Sequence, residues 1–171
     1  EFSGYNNSDR LLLEIIDTSS FLLEIAGGAG ALSDNPEVLF THYIDRDLPK
    51  LTADATKLRQ AVTNLLRNAF ESGASSVSLR SYMDDENLII QVTDNGTGIP
   101  DAAKKDLFTP FITYKKNGTG LGLSIVQRIL DAHNGQVTYS SGNTGTSFNL
   151  ILPTSSAAST NPATIPPRCA I

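Results

Sequence analysis

Cysteine is almost absent from the sequence, because Cys169 is the only one among 171 residues. A single thiol excludes an internal disulfide, and its position close to the C-terminal end disfavours Cys169 as a nucleophile or a metal ligand. So low a cysteine content is typical of proteins from a reducing compartment, and we therefore predict a cytoplasmic location.

Basic clusters and long apolar runs are missing as well. The formal net charge is −5, and the longest basic runs are the lysine pairs at 104–105 and 115–116. Nucleic-acid binding needs clustered Lys and Arg, so nucleic acid is disfavoured as a partner. No apolar run approaches the roughly 18 residues that span a bilayer, and no signal peptide is recognisable, so we expect no membrane contact by this fragment.

The rest of the composition is that of one globular domain. Hydrophobic residues make up 40% and charged residues 18%, and the length is sufficient for a sizeable core. Residues 1–9 have no apolar period and are interpreted as a leader or the end of a linker. From residue 154 onward Thr, Ser, Ala, Asn and Pro dominate, which is typical of a flexible tail. We therefore predict a single domain over residues 10–153.

Apolar periodicity predicts both helices and strands. It indicates a first helix capped by Ser8 or Asp9, a second over 55–72 capped by Asp54, and a third over 121–133. Strands are predicted at 38–44, 77–83, 88–93, 136–140 and 147–152. The second and third of these strands form a hairpin. The order predicts an α+β fold, a two-layer sandwich with helices on one face of a mixed, mostly antiparallel sheet.

Three polar side chains stand beside apolar faces. Asn64 and Asn68 are four residues apart on the second helix, so they lie one above the other, although asparagine is a mediocre helix former. Asp94 has the strand parity of the apolar residues that precede it, which predicts that its carboxylate faces the core. A buried carboxylate is costly unless another group donates a hydrogen bond to it.

Two glycine clusters flank a short apolar segment. Residues 94–100 are DNGTGIP, residues 117–123 are NGTGLGL, and residues 107–111 between them are LFTPF. Glycine lets a backbone approach a ligand, because it tolerates unusual dihedral angles and has no side chain. An acidic residue leads the first cluster and a helix follows the second. This order suggests a nucleotide, with its base at the carboxylate and its phosphates at the second cluster.

These motifs resemble the boxes of the GHKL superfamily, whose fold is the Bergerat ATP-binding fold with a mobile lid. Residues 64–69 (NLLRNA) are similar to its N box, residues 94–100 to its G1 box and residues 107–111 to its F box. Residues 118–126 are similar to its G2 box, and residues 145–148 (GTSF) follow in the family's order. The branch that the sequence most resembles is the catalytic domain of sensor histidine kinases of the nitrogen-regulation and dicarboxylate-sensing types.

The resemblance implies ATP and Mg²⁺ as cofactors and a role for each motif residue. Asp94 would accept the adenine amino group, and Thr146 would reach the same pocket floor through a shared water. Asn68 would give its side-chain oxygen to Mg²⁺, with Asn64 nearby for the ion or a phosphate. No residue is assigned as a catalytic acid or base. The other nucleotide-contacting residues would be Gly96, Gly98, Ile99, Phe108, Phe111, Lys115, Lys116, Gly118, Thr119, Gly120, Leu121, Gly122 and Leu123.

The segment 101–119 would form the lid over the nucleotide. Phe108 and Phe111 would anchor its middle, and Lys115 or Lys116 would offset the charge of the triphosphate.

Three positions depart from related enzymes. Glu71 and Ser72 stand where many histidine kinases have a basic and an aromatic residue, so we expect weaker nucleotide binding, not its loss. Superfamily hydrolases have a water-activating glutamate four residues before the metal asparagine, where this chain has Asn64. A neutral amide cannot accept the proton, so hydrolysis loses its base while phosphoryl transfer to another acceptor remains feasible.

A phosphoacceptor histidine is not recognisable in this sequence. His42 is expected to be a strand side chain, and His133 a helix C-terminal residue in favourable contact with the helix dipole. The resemblance therefore implies the catalytic part of a protein histidine kinase whose acceptor lies on a dimerisation domain missing here. A response regulator would be the downstream partner. The chain would be cytoplasmic, on its own or as the cytosolic part of a membrane-bound sensor.

Two other functions stay open, namely a serine kinase of the anti-sigma-factor type, which shares the fold, and a nucleotide-dependent binding module without transfer. The long lid and the glycine-rich run that follows it favour the histidine kinase. Taken singly, the residues also have plain structural explanations. Asn64 and Asn68 could face solvent, Asp94 could be a turn residue, and Phe108 and Phe111 could be ordinary core.

Overall fold

The computed structural model of the protein describes residues 10–112 and 122–154. The predicted leader 1–9 and nearly all of the predicted tail lie outside the described residues, so the proposed domain limits stay a prediction. The helices are α1 (Thr18–Gly28), α2 (Ala55–Phe70), α3 (Asp101–Lys104) and α4 (Gly122–Ala132), and a short 3-10 helix spans Ala29–Leu32. The strands are β1 (Glu14–Ile16), β2 (Leu39–Ile44), β3 (Leu51–Ala53), β4 (Ser76–Asp84), β5 (Asn87–Asp94), β6 (Gln136–Gly142) and β7 (Gly145–Pro153).

Five of these strands form one mixed sheet in the order β2-β4-β5-β7-β6. Among the described strands of this sheet the β2–β4 pairing is parallel, and the other three pairings are antiparallel. On β7 alternate residues are buried, as the period of two requires when one face covers a core, and β5 follows the same alternation except that Ile89 is buried as well. Helix α2 packs against α4, β4 and β5, and α4 packs against β6 and β7. The predicted α+β sandwich is confirmed.

Helix α2 forms where the sequence predicts it. The Asp54 side chain caps it by accepting a hydrogen bond from the Lys57 N–H at 3.1 Å. Its apolar stripe is buried at Leu58, Ala61, Val62, Leu65, Leu66, Ala69 and Phe70. The helix ends at Phe70, two residues before the predicted end, and the β4–β5 hairpin is present as predicted.

The prediction of a first helix capped by Ser8 or Asp9 is wrong in its start. Helix α1 begins at Thr18, and Asp17 caps it by accepting from the Ser20 N–H at 3.1 Å. The preceding apolar residues include β1, which pairs antiparallel with β3, a strand that the sequence analysis missed. A short apolar run fits a helix and a strand equally well, and here the pairing of Ile16 with Leu51 decided between them.

His133 joins the end of α4 to the start of α2. Its Nε2 accepts a hydrogen bond from the Asp54 backbone N–H at 3.0 Å, and its Nδ1 lies 2.7 Å from the Ile129 carbonyl oxygen. Since Nε2 accepts, Nδ1 carries the proton and donates to that carbonyl in the last turn of α4. The contact of His133 with the helix end is therefore a hydrogen bond between buried groups.

The Asp54 carboxylate also holds the segment that precedes β1, because it accepts from the Leu12 N–H at 3.0 Å. Burial by itself raises the pKa of Asp54, but the N–H donors of Leu12 and Lys57 and the Lys57 charge bring that pKa below its ordinary value of 3.8. A lowered pKa means that the carboxylate stabilises the fold above roughly pH 4. This contribution is lost as the pH falls through the lowered pKa.

We expect His133→Ala to lower the free energy of unfolding by roughly 2 kcal/mol, since it leaves the buried Asp54 N–H without an acceptor. Urea unfolding followed by circular dichroism measures the change. His42→Ala is the matched control, because His42 is exposed on β2, and it should stay within about 0.5 kcal/mol of the wild type. Equal stabilities of the two variants would contradict a structural role for His133.

Candidate functional site

Asp94 is the last residue of β5 and is buried, with 7% of its surface exposed. Its parity with the apolar residues of β5 is therefore confirmed. The Asp94 Oδ1 accepts a hydrogen bond from the Gly96 N–H at 2.8 Å, so the carboxylate also caps the turn that follows the strand. A carboxylate accepts up to about four hydrogen bonds, so the turn does not prevent it from binding a ligand donor.

Thr146 lies directly opposite Asp94 on β7 and is 6% exposed. On its other side Thr146 is opposite Ser141 of β6, and their hydroxyl oxygens are 2.8 Å apart. Ser141 also accepts from the Ile99 N–H at 2.7 Å. Ser141 is not among the predicted site residues, because the predicted strand ends at residue 140. Extending the alternation from Tyr139 by one step would have placed Ser141 on the core side.

The glycines after Asp94 lie against the protein's own backbone. A Cβ at Gly96 would overlap the Ser72 side chain and come within 2.6 Å of the Ser72 carbonyl oxygen. Gly98 has φ of +80°, and a Cβ there would overlap the Gly142 carbonyl oxygen. The lack of a side chain at these glycines therefore has an explanation other than a ligand, because each glycine lies against a neighbouring segment of the chain. Their contact with a nucleotide stays a prediction.

The loop after Asp94 is tied to two neighbouring elements. Asn95 Oδ1 accepts from the backbone N–H groups of Ser75 and Ser76, both at 2.9 Å, at the start of β4. The Thr97 N–H lies 3.4 Å from the Ser72 carbonyl oxygen, just after α2. The end of α2 is thereby held beside the residue pair Asp94 and Thr146.

Asn64 and Asn68 are both half-buried on α2, which disfavours the alternative that they simply face solvent. Asn68 is one helical turn before Ser72, so it lies at the end of α2 that adjoins the loop after Asp94. The Asn64 Nδ2 lies 3.4 Å from the Gly122 carbonyl oxygen, at the first residue of α4. Asn64 therefore contacts the start of α4, and Asn68 lies on the last full turn of α2.

The start of the predicted lid has one aromatic anchor. Leu107 is buried, and the half-buried Phe108 ring packs on Tyr139 with their centroids 6.2 Å apart. Phe111, in contrast, is 77% exposed with φ of +68°. Within the described part of the predicted lid, residues 101–112, the expectation that Phe111 is an anchor is therefore wrong. A role of Phe111 towards a nucleotide stays a prediction.

The second glycine cluster is only partly described. Gly122 and the buried Leu123 open α4. The predicted nucleotide-contacting residues Lys115, Lys116, Gly118, Thr119, Gly120 and Leu121 lie outside the described residues. Among the residues that are described, no group of three or more His, Cys, Asp or Glu could hold a metal ion. None of the described helices is both long enough and apolar enough to cross a membrane.

Comparison with known proteins gives one family. Residues 53–156 match the family described as Histidine kinase-, DNA gyrase B-, and HSP90-like ATPase. Sporulation kinase B of Bacillus subtilis is 31% identical over 144 residues, which are 82% of this chain and 33% of that protein. The sensory histidine kinase/phosphatase NtrB of Rhodobacter capsulatus is 32% identical over 147 residues, which cover 77% of this chain and 41% of that protein. The chain thus spans less than half the length of these relatives.

Solved structures share the fold. The full-length ShkA in complex with AMPPNP superimposes with a TM-score of 0.74 at 26% identity, over 87% of this chain and 33% of that one. The catalytic domain of the histidine kinase ThkA gives 0.74 at 24% identity, over 86% of this chain and 99% of that one, and shows the fold alone. The predicted superfamily is confirmed, and because the family match covers more than half of its residues, the chain belongs to the Histidine kinase-, DNA gyrase B-, and HSP90-like ATPase family.

Proposed function

We propose that this chain is the ATP-binding catalytic domain of a two-component sensor histidine kinase. It transfers the γ-phosphoryl group of ATP to a histidine on a dimerisation domain outside this chain, and a response regulator is the downstream partner. The observation that carries the proposal is the buried Asp94 carboxylate opposite Thr146, beside the end of α2 that has Asn68. Relatives named as sensor kinases, and the ShkA complex with AMPPNP, support it. A cytoplasmic location is part of the proposal.

Asp94 selects the base in this proposal. The carboxylate is acceptor-only when ionised, so it pairs with a ligand that donates, such as the exocyclic amino group of adenine. A 6-oxo group at the same place would bring two acceptors together and leave both unpaired. Since the site is buried, that mismatch carries the full desolvation penalty, which makes one polar group an effective discriminator.

Asn68 and Asn64 fit a magnesium ion bound together with the triphosphate. Mg²⁺ prefers oxygen ligands and keeps several waters, so one or two amide oxygens suffice when ATP supplies the others. A magnesium ion held there would neutralise charge on the transferred phosphoryl group. The half-buried amides on α2 are positioned by the helix itself, and Asn64 already contacts the first residue of α4, where a helix N-terminus favours phosphate.

Phosphoryl transfer is favoured over hydrolysis by the identity of residue 64. Its side chain is a neutral amide, which cannot take a proton from an attacking water. Transfer between ATP and an imidazole needs no such base, because the nucleophile is the neutral ring nitrogen. We therefore propose a kinase in place of a gyrase-like or chaperone-like ATPase.

We expect Asn68→Ala to weaken Mg²⁺-ATP binding by about tenfold or more, comparable to the loss of a charge-assisted contact. Binding of ATP in the presence of a chelator should change by less than about twofold, because the ligand lost is that of the metal. Isothermal titration calorimetry with and without Mg²⁺ measures both. Gln60→Ala, an exposed amide on the same helix, is the control. Equal losses with and without the metal would count against Asn68 as a ligand.

The function is tested by mixing this chain with the dimerisation segment of its own protein and ATP labelled at the γ-phosphate. We expect label on the segment that is lost in acid and retained in base, as for phosphohistidine. Acid-stable label would instead indicate a serine kinase of the anti-sigma-factor type. An unlabelled segment, with ATP binding intact, would indicate a binding module without transfer.

A further inference from the structure

A row of three polar side chains crosses the sheet next to the proposed base site. Asp94, Thr146 and Ser141 are directly opposite one another on β5, β7 and β6. Asp94 and Thr146 are 7% and 6% exposed, and Ser141 is half-buried. The row ends at the loop after Asp94, because the Ile99 N–H donates to the Ser141 Oγ at 2.7 Å.

The Ile99 donor is held in place by its surroundings. The Ile99 side chain is buried, with 7% of its surface exposed. The preceding Gly98 lies against the Gly142 backbone with φ of +80°, a conformation that only glycine adopts readily. One lone pair of the Ser141 oxygen is therefore committed to a backbone group that has little freedom to move.

The hydroxyl groups of Ser141 and Thr146, whose oxygens are 2.8 Å apart, can form their hydrogen bond in two directions. Each hydroxyl has one proton and two lone pairs. If Ser141 donates to Thr146, the Thr146 proton is available to a third group. If Thr146 donates to Ser141, the Thr146 hydroxyl presents only a lone pair.

Only the first arrangement complements a purine whose 6-position group also pairs with Asp94. Adenine carries an amino donor beside the ring acceptor N1, which matches an Asp94 acceptor followed by a Thr146 donor. Guanine carries a 6-oxo acceptor beside an N1–H donor, and this order is mismatched at both positions. The second arrangement would suit the N1–H of guanine but would still oppose its 6-oxo group to the Asp94 carboxylate.

We propose that Ser141 is a positioning residue for adenine recognition, which accepts from the Ile99 N–H and donates to Thr146 so that the Thr146 proton points to N1. The contact with N1 is direct or passes through one water. This inference rests on the proposed function, because it assumes that Asp94 binds the adenine amino group. Beyond the proposed function, the inference states that selectivity for adenine depends on the Ser141 hydroxyl of β6, which does not itself contact the nucleotide.

The test compares ATP with an analogue in which a C–H group replaces N1, using calorimetry in the presence of Mg²⁺. We expect Ser141→Ala to weaken ATP binding about fivefold to fifteenfold, the loss of one oriented hydrogen bond. The same substitution should change binding of the analogue by less than about twofold, because that ligand has no acceptor for Thr146. Ser140→Ala, next in the strand and facing the opposite side of the sheet, should leave both affinities unchanged.

A loss of the same size for ATP and the analogue would overturn the proposal, since Ser141 would then only hold the loop. No loss for either ligand would overturn it as well. Ser141→Thr keeps the hydroxyl and should restore the wild-type difference between the two ligands. If Ser141→Ala does not fold, Ser141→Cys replaces it, because a thiol of similar size is a weak donor and should show the same N1-dependent loss.

Asp94→Asn separates this inference from the function on which it rests. Wild-type ATP binding by that variant would mean that the proposed function is wrong. If Asp94→Asn loses ATP and Ser141→Ala shows no dependence on N1, the function stands and only the role of Ser141 fails.

Discussion

Asp94→Asn is expected to reduce ATP affinity by about 100-fold or more, which corresponds to roughly 2.7 kcal/mol. The Gly96 N–H decides how the new amide is oriented. It donates to Asp94 Oδ1 at 2.8 Å, so the amide oxygen of the asparagine takes that position and keeps the turn. The amide nitrogen then takes the place of Oδ2. A donor would face the adenine amino group, which is also a donor, and both would lose their partners in a buried site.

Calorimetry with Mg²⁺-ATP measures the loss, and thermal unfolding shows whether the fold is intact. We expect the melting temperature to change little, because asparagine caps the same turn as aspartate. Asp84→Asn is the matched control, since Asp84 ends β4 at an exposed turn and makes the same change of charge. ATP binding by Asp94→Asn at the wild-type level would refute the assignment of Asp94 to the base.

Gly145→Ala is expected to lower the free energy of unfolding by roughly 3 kcal/mol or more. Two costs add at this position. Gly145 has φ of +129°, which a residue with a side chain adopts only under strain. A Cβ there would also overlap the Asp94 carbonyl oxygen and come within 2.8 Å of the Asn95 Cα, so the backbone of the proposed base site must shift. Loss of ATP affinity should accompany the loss of stability.

Gly142→Ala is a matched control for this prediction. It lies at the other end of the same turn and pairs with Gly145 across it. Its φ is outside the left-handed region, and a Cβ there has no atom within 4 Å. Urea unfolding should place Gly142→Ala within about 1 kcal/mol of the wild type. A Gly145→Ala protein as stable as Gly142→Ala would mean that the close approach to Asp94 is not a constraint on the fold.

The parts of the fold that the sequence predicted well have a strong local signal. The stripe on α2 repeats over four turns and starts at the Asp54 cap, so the helix was predicted to within two residues at its end. The burial of Asp94 followed from the alternation of β5 alone. In both cases the period of the helix or strand determines which side chains share a face, so their burial can be predicted without knowing the surface they pack against.

Other parts failed because their signal is short or depends on a distant partner. The three residues of β1 fit a helical spacing, and only their pairing with β3 makes them a strand. Phe108 and Phe111 are equivalent as sequence, on either side of a Thr-Pro step. Tyr139 accommodates Phe108 and leaves Phe111 exposed, which no local pattern could indicate.

By itself the sequence determined the identity of the proposed site, since an acidic strand end, two amides one turn apart and two glycine clusters are readable from local order. Only the tertiary structure decided what each glycine lies against and which side chains form the row across the sheet. The Ser141 hydroxyl accepts a hydrogen bond from the Ile99 N–H, which is 42 positions away in the chain. Gly145 lies against the backbone of Asp94 on the neighbouring strand. Such contacts arise when separate strands are brought into register, and no periodicity within one segment encodes them.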